Sequence, residues 1–138
     1  MQIQKNKPLK NLTTLRIGGP ARFFYEAENE KELLKALSWA REKKIPRYIL
    51  VSGSNIVASD RGFAGLVIKI ALKDFKRKKN RVYAGAGNNL LEFIKKLDRL
   101  GLRGMERMAG IPGTIAGAIY GNAGAYGQEI WENLRRVK

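Results

Sequence analysis

The segment from Gly110 to Gly127 constrains the fold more than any other part of the chain. It carries six glycines in eighteen residues, and alanine, isoleucine and tyrosine fill most of the positions between them. A flexible linker would contain serine and other polar residues instead, and so much glycine weakens long helices and strand interiors. We expect a short helix entered through Pro112 and Gly113, followed by a loop. Small residues mixed with apolar ones predict close backbone packing, either against another element or against a flat ligand, and composition leaves both open.

The composition of the whole chain limits its chemistry. The chain has 138 residues, of which 44% are hydrophobic and 28% are charged, as in one globular domain or two small lobes. Cysteine and histidine are absent, which excludes disulfides, Cys/His zinc sites, a Ser-His-Asp triad and a histidine base. The sequence has neither a signal-peptide core nor about 20 consecutive apolar residues for a membrane helix. We therefore expect a cytoplasmic protein with no metal and no membrane partner.

Hydrophobic periodicity predicts an α+β fold made of two α/β lobes. In the first lobe, residues 1–72, the pattern indicates an amphipathic helix from Glu28 to Lys44, which Pro46 ends. Three strands accompany it, at residues 22–27, 48–51 and 66–70.

The second lobe, residues 73–138, has a weaker pattern. A short strand is expected at residues 82–84 and a helix at residues 90–100, with Asn88 or Asn89 as its cap and Gly101 at its end. A further strand is expected to begin near Arg135, so this lobe is interpreted as incomplete.

The chain is strongly basic. Lys and Arg total 27 against 12 Asp and Glu, giving a net charge of +15, and the densest run lies between Lys73 and Arg81. We interpret this run as a solvated connection between two strands. The alternative function is a basic module that binds nucleic acid or another polyanion. Proteins that bind single strands interleave aromatic with basic residues, and only Phe75 lies inside the run, so nucleic acid is not the favoured partner.

Two further glycine-containing turns are candidate phosphate sites. Gly85-Ala86-Gly87 follows a strand and precedes a helix, as a dinucleotide fingerprint does, but Leu90 occupies the third glycine position, which favours an ordinary strand-to-helix turn. The turn from Ser52 to Asn55 offers backbone N–H groups, two hydroxyls and an amide. These groups can form an anion nest for a pyrophosphate, with a plain turn as the alternative. The lysine of a P-loop is missing, which argues against triphosphate hydrolysis.

Several of these segments, taken in order, carry a resemblance. Asn11–Ala21 is similar to an amino-terminal signature, Ile49–Asn55 with Asp60–Gly65 to a first flavin loop, and the stretch from Gly104 to Gly127 to a second. Nearly the whole chain resembles the UDP-N-acetylenolpyruvoylglucosamine reductases, also called UDP-N-acetylmuramate dehydrogenases. The resemblance implies the two-lobed FAD-binding module of the vanillyl-alcohol-oxidase (PCMH) type.

The resemblance also implies a reaction and a set of cofactor residues. The reaction is the NADPH-dependent reduction of a UDP-sugar enolpyruvyl ether in peptidoglycan synthesis, with FAD carrying the hydride. The pyrophosphate of FAD would lie at Gly53, Ser54 and Asn55. The ribityl chain and isoalloxazine ring would lie along the second flavin loop, at Gly113, Thr114, Gly117, Asn122, Ala123, Gly124 and Tyr126. Ala116 departs from the family, which usually has glycine there.

Length sets the other expectations. The resemblance implies that family members are roughly twice as long as this chain, which has the length of one domain. It also implies that the family's catalytic serine and glutamate, its catalytic Tyr-Arg motif and its UDP-sugar domain lie downstream of Lys138. We therefore expect no catalytic residue and no turnover in this chain. A stand-alone carrier of FAD or a nucleotide that pairs with a separately encoded partner chain is a third alternative. Exposed edges of an incomplete lobe would favour self-association.

Overall fold

The computed structural model describes all residues, Met1–Lys138. It divides into two compact units, Met1–Leu72 and Lys73–Lys138. The assignment of these units as two flavin-binding lobes stays a prediction. No helix has the length and apolar character needed to cross a membrane, and no group of acidic side chains is placed to hold a metal ion.

The first unit is built on a four-stranded mixed sheet. In chain order its elements are β1 (Gln4–Pro8), β2 (Pro20–Ala27), α1 (Glu30–Glu42), β3 (Arg47–Leu50) and β4 (Phe63–Ile70). The strand order is β1-β2-β4-β3, with β2, β4 and β3 parallel and β1 antiparallel to β2. The three predicted strands and the helix are confirmed. Strand β1 was not predicted, because its sequence QKNKP is polar and its first three residues are exposed.

Helix α1 begins two residues later than predicted because Asn29 caps it. The Asn29 side chain accepts a hydrogen bond from the Glu32 N–H, as a good N-cap does. The Glu32 carboxylate in turn accepts from the Glu28 N–H at 2.9 Å. Glu28 therefore lies outside the helix, although the hydrogen bond to Glu32 holds its backbone against the first turn.

Alternating residues of the sheet form two separate apolar layers. Leu66 and Ile68 of β4 pack against Ala36 and Ala40 of α1. Val67, which lies between them in β4, points to the opposite face and packs with Leu9 and Leu50. The half-buried side chains of Leu12, Ile56 and Ala58 complete this second cluster. One face of the sheet is thus covered by helix α1. The other face is covered by the loops that contain the amino-terminal signature and the first flavin loop.

The second unit combines two hairpins and two α-helices around one core. Its elements are β5 (Phe75–Lys78), β6 (Arg81–Ala84), α2 (Leu90–Arg99), α3 (Ile115–Tyr120), β7 (Gly124–Ala125) and β8 (Gln128–Glu129). Leu90, Ile94 and Leu97 of α2 share a buried cluster with Met108 and Ile115. The predicted helix is confirmed, with Asn89 as its cap: the Asn89 side chain accepts from the Glu92 N–H at 3.1 Å.

Three sequence-based expectations for this unit are wrong. The basic run is not a plain connection, because residues 75–78 form β5 and pair antiparallel with β6. The stretch after α3 is not only a loop, because β7 and β8 pair across a two-residue turn. No strand begins at Arg135, and residues 134–138 are exposed and lie in no helix or strand.

Candidate functional site

The turn after β3 has the features of an anion nest. Gly53 is in the left-handed region with φ 65°, and the hydroxyls of Ser52 and Ser54 lie 3.2 Å apart. The Gly53 carbonyl accepts from the Thr14 N–H at 3.1 Å, whereas neither the Gly53 N–H nor the Asn55 N–H donates to another backbone group. These donors fit an anionic group such as a pyrophosphate, so the predicted residues of this turn suit the cofactor.

Gly53 is required by the fold as well as by its backbone conformation. A Cβ at this position would lie 2.2 Å from the Leu12 carbonyl oxygen, a distance that no real side chain tolerates. The absence of a side chain therefore lets the segment Leu12–Thr14 lie directly against the turn. The Thr13 hydroxyl, which is nearly buried, closes that segment by donating to the Ile17 carbonyl at 3.0 Å.

The end of the amino-terminal signature, at Gly19 and Pro20, also packs against the loop that follows the turn. The Gly19 N–H donates to the Ser59 carbonyl at 2.9 Å, and a Cβ at Gly62 would lie 2.0 Å from the Pro20 carbonyl oxygen. The structure thus brings together the amino-terminal signature and both parts of the first flavin loop.

In the second unit the predicted residues surround the start of α3. Thr114 is buried and caps the helix, its hydroxyl accepting from the Gly117 N–H at 3.2 Å. The next two donors of the helix are also used: the Ile115 N–H bonds the Asn88 carbonyl and the Ala116 N–H bonds the Ala86 carbonyl. The first turn of α3 is therefore tied to the loop before α2. A cofactor near Thr114 would meet its side chain and the backbone around it rather than free helical N–H groups.

The loop at Gly85–Asn89 is structural in this arrangement. The Asn88 side chain donates to the carbonyls of Asp74 and Gly85 at 3.1 Å and 2.9 Å. The preceding strand belongs to an antiparallel hairpin, so the parallel βαβ context of a dinucleotide fingerprint is absent. This supports the strand-to-helix turn that Leu90 suggested.

The remaining predicted residues lie at the end of α3 and on the β7–β8 hairpin. Asn122 adopts φ 43° directly after the helix, and Tyr126 and Gly127 form the turn with φ 54° and 75°. Two positive φ values are what a two-residue hairpin turn needs. Tyr126 is 85% exposed at the tip, so its ring lies open to solvent. The half-buried Ala123 accepts from the Ile130 N–H and donates to Ala118.

Side chains that the sequence did not single out hold this hairpin in place. The Arg107 guanidinium donates to the Tyr126 carbonyl at 3.0 Å, and the Gln128 amide donates to the Gly104 carbonyl at 2.7 Å. Glu129 accepts from Asn122 at 2.7 Å. The sequence marks Glu129 only by its position two residues after the turn glycine, Gly127. Its contact with Asn122 could not be predicted, because it depends on the fold.

Glu106 has a structural role. Its carboxylate accepts from the Gly104 N–H through both oxygens. Hydrogen bonds from the backbone N–H groups of Glu106 itself and then of Gly104 lower its pKa from the usual 4.5. An exposed carboxylate held in this way stays ionised at neutral pH, so it is poorly suited to act as a proton donor.

Comparison with known proteins agrees with these features. A family model described as "FAD binding domain" matches residues 21–138. The chain belongs to the FAD binding domain family. This confirms the predicted α+β flavoprotein class with FAD as the cofactor of the family.

Individual relatives carry the name that the resemblance implied. The UDP-N-acetylenolpyruvoylglucosamine reductase of Solibacter usitatus is 40% identical over 138 residues, which is 100% of this chain and 44% of the relative. That of Protochlamydia amoebophila is 41% identical over 99% of this chain and 46% of its own length. The crystal structure of the reductase from Thermus caldophilus matches with a TM-score of 0.77 and 32% identity, over 94% of this chain and 45% of that one. The chain thus spans less than half the length of these proteins.

Proposed function

We propose that the chain is the FAD-binding portion of an NADPH-dependent reductase. That enzyme would convert UDP-N-acetylglucosamine enolpyruvate to UDP-N-acetylmuramate in peptidoglycan synthesis. The observation that carries the proposal is the 40% identity over all 138 residues to a reductase of that name. We infer a cytoplasmic location, since a UDP-sugar and NADPH are both made inside the cell.

The cofactor would be held by two sets of groups in this proposal. The turn at Gly53, Ser54 and Asn55 would hold the pyrophosphate, because the N–H groups of Gly53 and Asn55 donate to no backbone group and can meet an anion. The second set would bind the ribityl chain and ring, and comprises Gly113, Thr114, Gly117, Asn122, Ala123, Gly124 and Tyr126. When bound, FAD supplies the relay of a hydride from NADPH to the double bond of the substrate. We propose no catalytic residue within the chain, and we expect turnover to need the remainder of the enzyme.

A flavin titration tests the proposal. We expect the purified chain to bind FAD saturably, with a perturbed flavin absorbance spectrum and no robust oxidation of NADPH by itself. Asn55→Ala should weaken FAD binding about tenfold, as the loss of a hydrogen bond to a charged group predicts. Asn55 is exposed and its N–H donates to no backbone group, so the variant should fold. Asn80→Ala, in the exposed β5–β6 turn, is the matched control. Failure of the wild-type chain to bind FAD would contradict the proposal.

One feature of the second unit favours a different candidate, a polyanion-binding surface. On the solvent face of the β5–β6 hairpin, Lys76 lies opposite Tyr83 and Lys78 lies opposite Arg81. Tyr83 is 60% exposed, so pairing across the strands places an exposed aromatic residue beside the basic run, whose own Phe75 packs against the core. Basic residues around an exposed ring are typical of single-strand binding.

A titration with a labelled single-stranded oligonucleotide at two salt concentrations tests this candidate. Tight binding that falls steeply with salt, and that Tyr83→Ala weakens, would favour it. A flat salt response would contradict it.

Self-association is a separate proposal. Strand β3 lies at an edge of its sheet, and Tyr48 and Ile49 are 45% and 44% exposed there. An exposed apolar edge favours pairing with a second copy. Light scattering coupled to gel filtration should give a mass above the 15.5 kDa of one chain, and a monomer at high concentration would contradict this.

A further inference from the structure

Glu129 is a junction between the end of α3 and the β7–β8 hairpin. Its Oε2 accepts hydrogen bonds from the Asn122 Nδ2 at 2.7 Å and from the Trp131 Nε1 at 2.8 Å. Its carboxylate also accepts from the Glu132 N–H in a reciprocal capping box, in which Glu132 accepts from the Glu129 N–H at 2.7 Å. Three donors therefore converge on one exposed carboxylate.

The backbone around Glu129 is fixed by the hairpin. Glu129 pairs with Gly124 across the two strands, and the next residue, Ile130, donates its N–H to the Ala123 carbonyl at 3.0 Å. A Cβ at Gly124 would lie 2.9 Å from the Cγ of Glu129. The missing side chain at Gly124 thus leaves the space that the Glu129 side chain occupies, which is a structural reason for a glycine that the sequence suggested only as a cofactor residue.

The bond to Glu129 determines which end of the Asn122 amide faces outward. An ionised carboxylate only accepts hydrogen bonds, so only the NH₂ end of an amide can face it. The Asn122 backbone is itself constrained, with φ 43° and its N–H bonded to the Ile119 carbonyl at 3.2 Å. With Nδ2 turned to Glu129, the Oδ1 of Asn122 is the group left to meet a ligand.

We propose that Glu129 is a positioning residue that holds the Asn122 side chain with its Oδ1 presented as an acceptor to an N–H donor of the flavin ring. This inference rests on the proposed function, which places Asn122 beside the cofactor. The pyrimidine edge of a flavin has one N–H between two carbonyls. The Oδ1 of Asn122 can accept a hydrogen bond from that N–H, whereas its Nδ2 could bond only to one of the carbonyls. Without Glu129 the amide would be free to rotate, and part of the population would present the wrong group.

A double-mutant cycle on FAD affinity tests the proposal. We expect Asn122→Ala to weaken FAD binding about tenfold, because it removes the neutral hydrogen bond to the flavin N–H. Glu129→Ala should weaken it less, about fivefold, because the released amide presents its Oδ1 for only part of the time. The double variant should be no weaker than Asn122→Ala alone, because Glu129 acts only through Asn122. Trp131→Phe removes a different donor from the same carboxylate and should stay within about twofold of the wild type. Additive losses in the double variant, or an equal loss in Trp131→Phe, would overturn the proposal.

A second measurement needs no flavin and separates this proposal from the proposed function. In the free protein, NMR should show that the side-chain amide protons of Asn122 exchange more slowly with solvent than those of Asn80. Glu129→Ala should remove that difference. If the wild-type chain binds no FAD but Asn122 is protected, the proposed function fails and the positioning of the amide stands. If Asn122 exchanges as fast as Asn80 in the wild type, Glu129 does not hold it and the inference is wrong.

Discussion

At the scale of single residues, the glycines of the first flavin loop serve the fold before they serve a ligand. Gly53 and Gly62 each lie where a side chain would collide with the backbone of the amino-terminal segment, at Leu12 and Pro20. Their role is to let two loops touch. Gly110, in contrast, has nothing within 4 Å of where its Cβ would be. Glycine content alone therefore does not mark the residues that approach a cofactor.

This contrast predicts different effects for the same substitution. Gly53→Ala should lower the free energy of unfolding by about 2 kcal/mol or more, because it combines a left-handed φ with a close contact to backbone. It should also weaken FAD binding, since the turn must shift. Chemical denaturation monitored by circular dichroism measures the first effect and a flavin titration the second.

Gly110→Ala is the matched control for Gly53→Ala. Gly110 has no positive φ and open space around it, so its stability should stay within about 0.5 kcal/mol of the wild type. Equal destabilisation by both substitutions would show that the Leu12 contact is not what requires glycine at position 53.

At the scale of secondary-structure elements, the sequence predicted what depends on local interactions. Helices α1 and α2 were predicted to within two residues at each end, because their apolar periodicity, the proline after α1 and the Asn89 cap of α2 are local sequence features. The Asn29 cap of α1 was not predicted. Strands β1 and β5 were not predicted, since QKNKP and FKRK carry few apolar side chains and are defined by pairing with partners elsewhere. In the candidate site, the residue types were predictable from resemblance. The contacts of Gly53 with Leu12 and of Glu129 with Asn122 were not, because they join separate segments.

The cap of α1 gives a prediction for an element. Asn29→Ala should lower the free energy of unfolding by about 1 kcal/mol, the usual effect of losing an N-cap side chain. The lost contact is the hydrogen bond from the Glu32 N–H to the Asn29 side chain. Thermal unfolding followed at 222 nm, a wavelength sensitive to helix, gives the measurement. Asn80→Ala should have no comparable effect, and a loss of equal size there would argue against the cap.

The pH dependence of the same helix end follows from Glu32. Its pKa is lowered from the usual 4.5, chiefly by the hydrogen bond from the Glu28 N–H, with the Asn29 and Tyr25 side chains adding to it. A carboxyl whose pKa is lowered on folding stabilises the protein above its unfolded pKa, and that contribution is lost as pH falls through the folded value. The stability difference between the wild type and Glu32→Gln should therefore shrink as pH falls below about 4.5. Parallel stability curves over that range would contradict this account.

At the scale of the whole molecule, the large excess of positive charge is the main electrostatic feature. The chain has 27 basic and 12 acidic residues, and its ion pairs include Lys69–Glu26 at 3.2 Å and Lys95–Glu92 at 3.1 Å. In the β5–β6 hairpin, Lys78 lies directly opposite Arg81, an arrangement of like charges that destabilises a pair of strands. Folding brings these charges closer together than in the unfolded chain, so repulsion opposes the compact state.

Added salt should therefore stabilise this protein. Raising NaCl from about 0.01 M to about 0.2 M shortens the screening length from about 30 Å to under 10 Å, so the unfolding temperature should rise by several degrees. Lys78→Glu places an opposite charge across from Arg81 and should raise stability at low salt by about 0.5 kcal/mol. The variant should also respond less to salt. Calorimetry of both proteins at the two salt concentrations is the measurement. An unfolding temperature that falls with NaCl would mean that the ion pairs stabilise the fold by more than the excess of positive charge destabilises it, and would contradict this account.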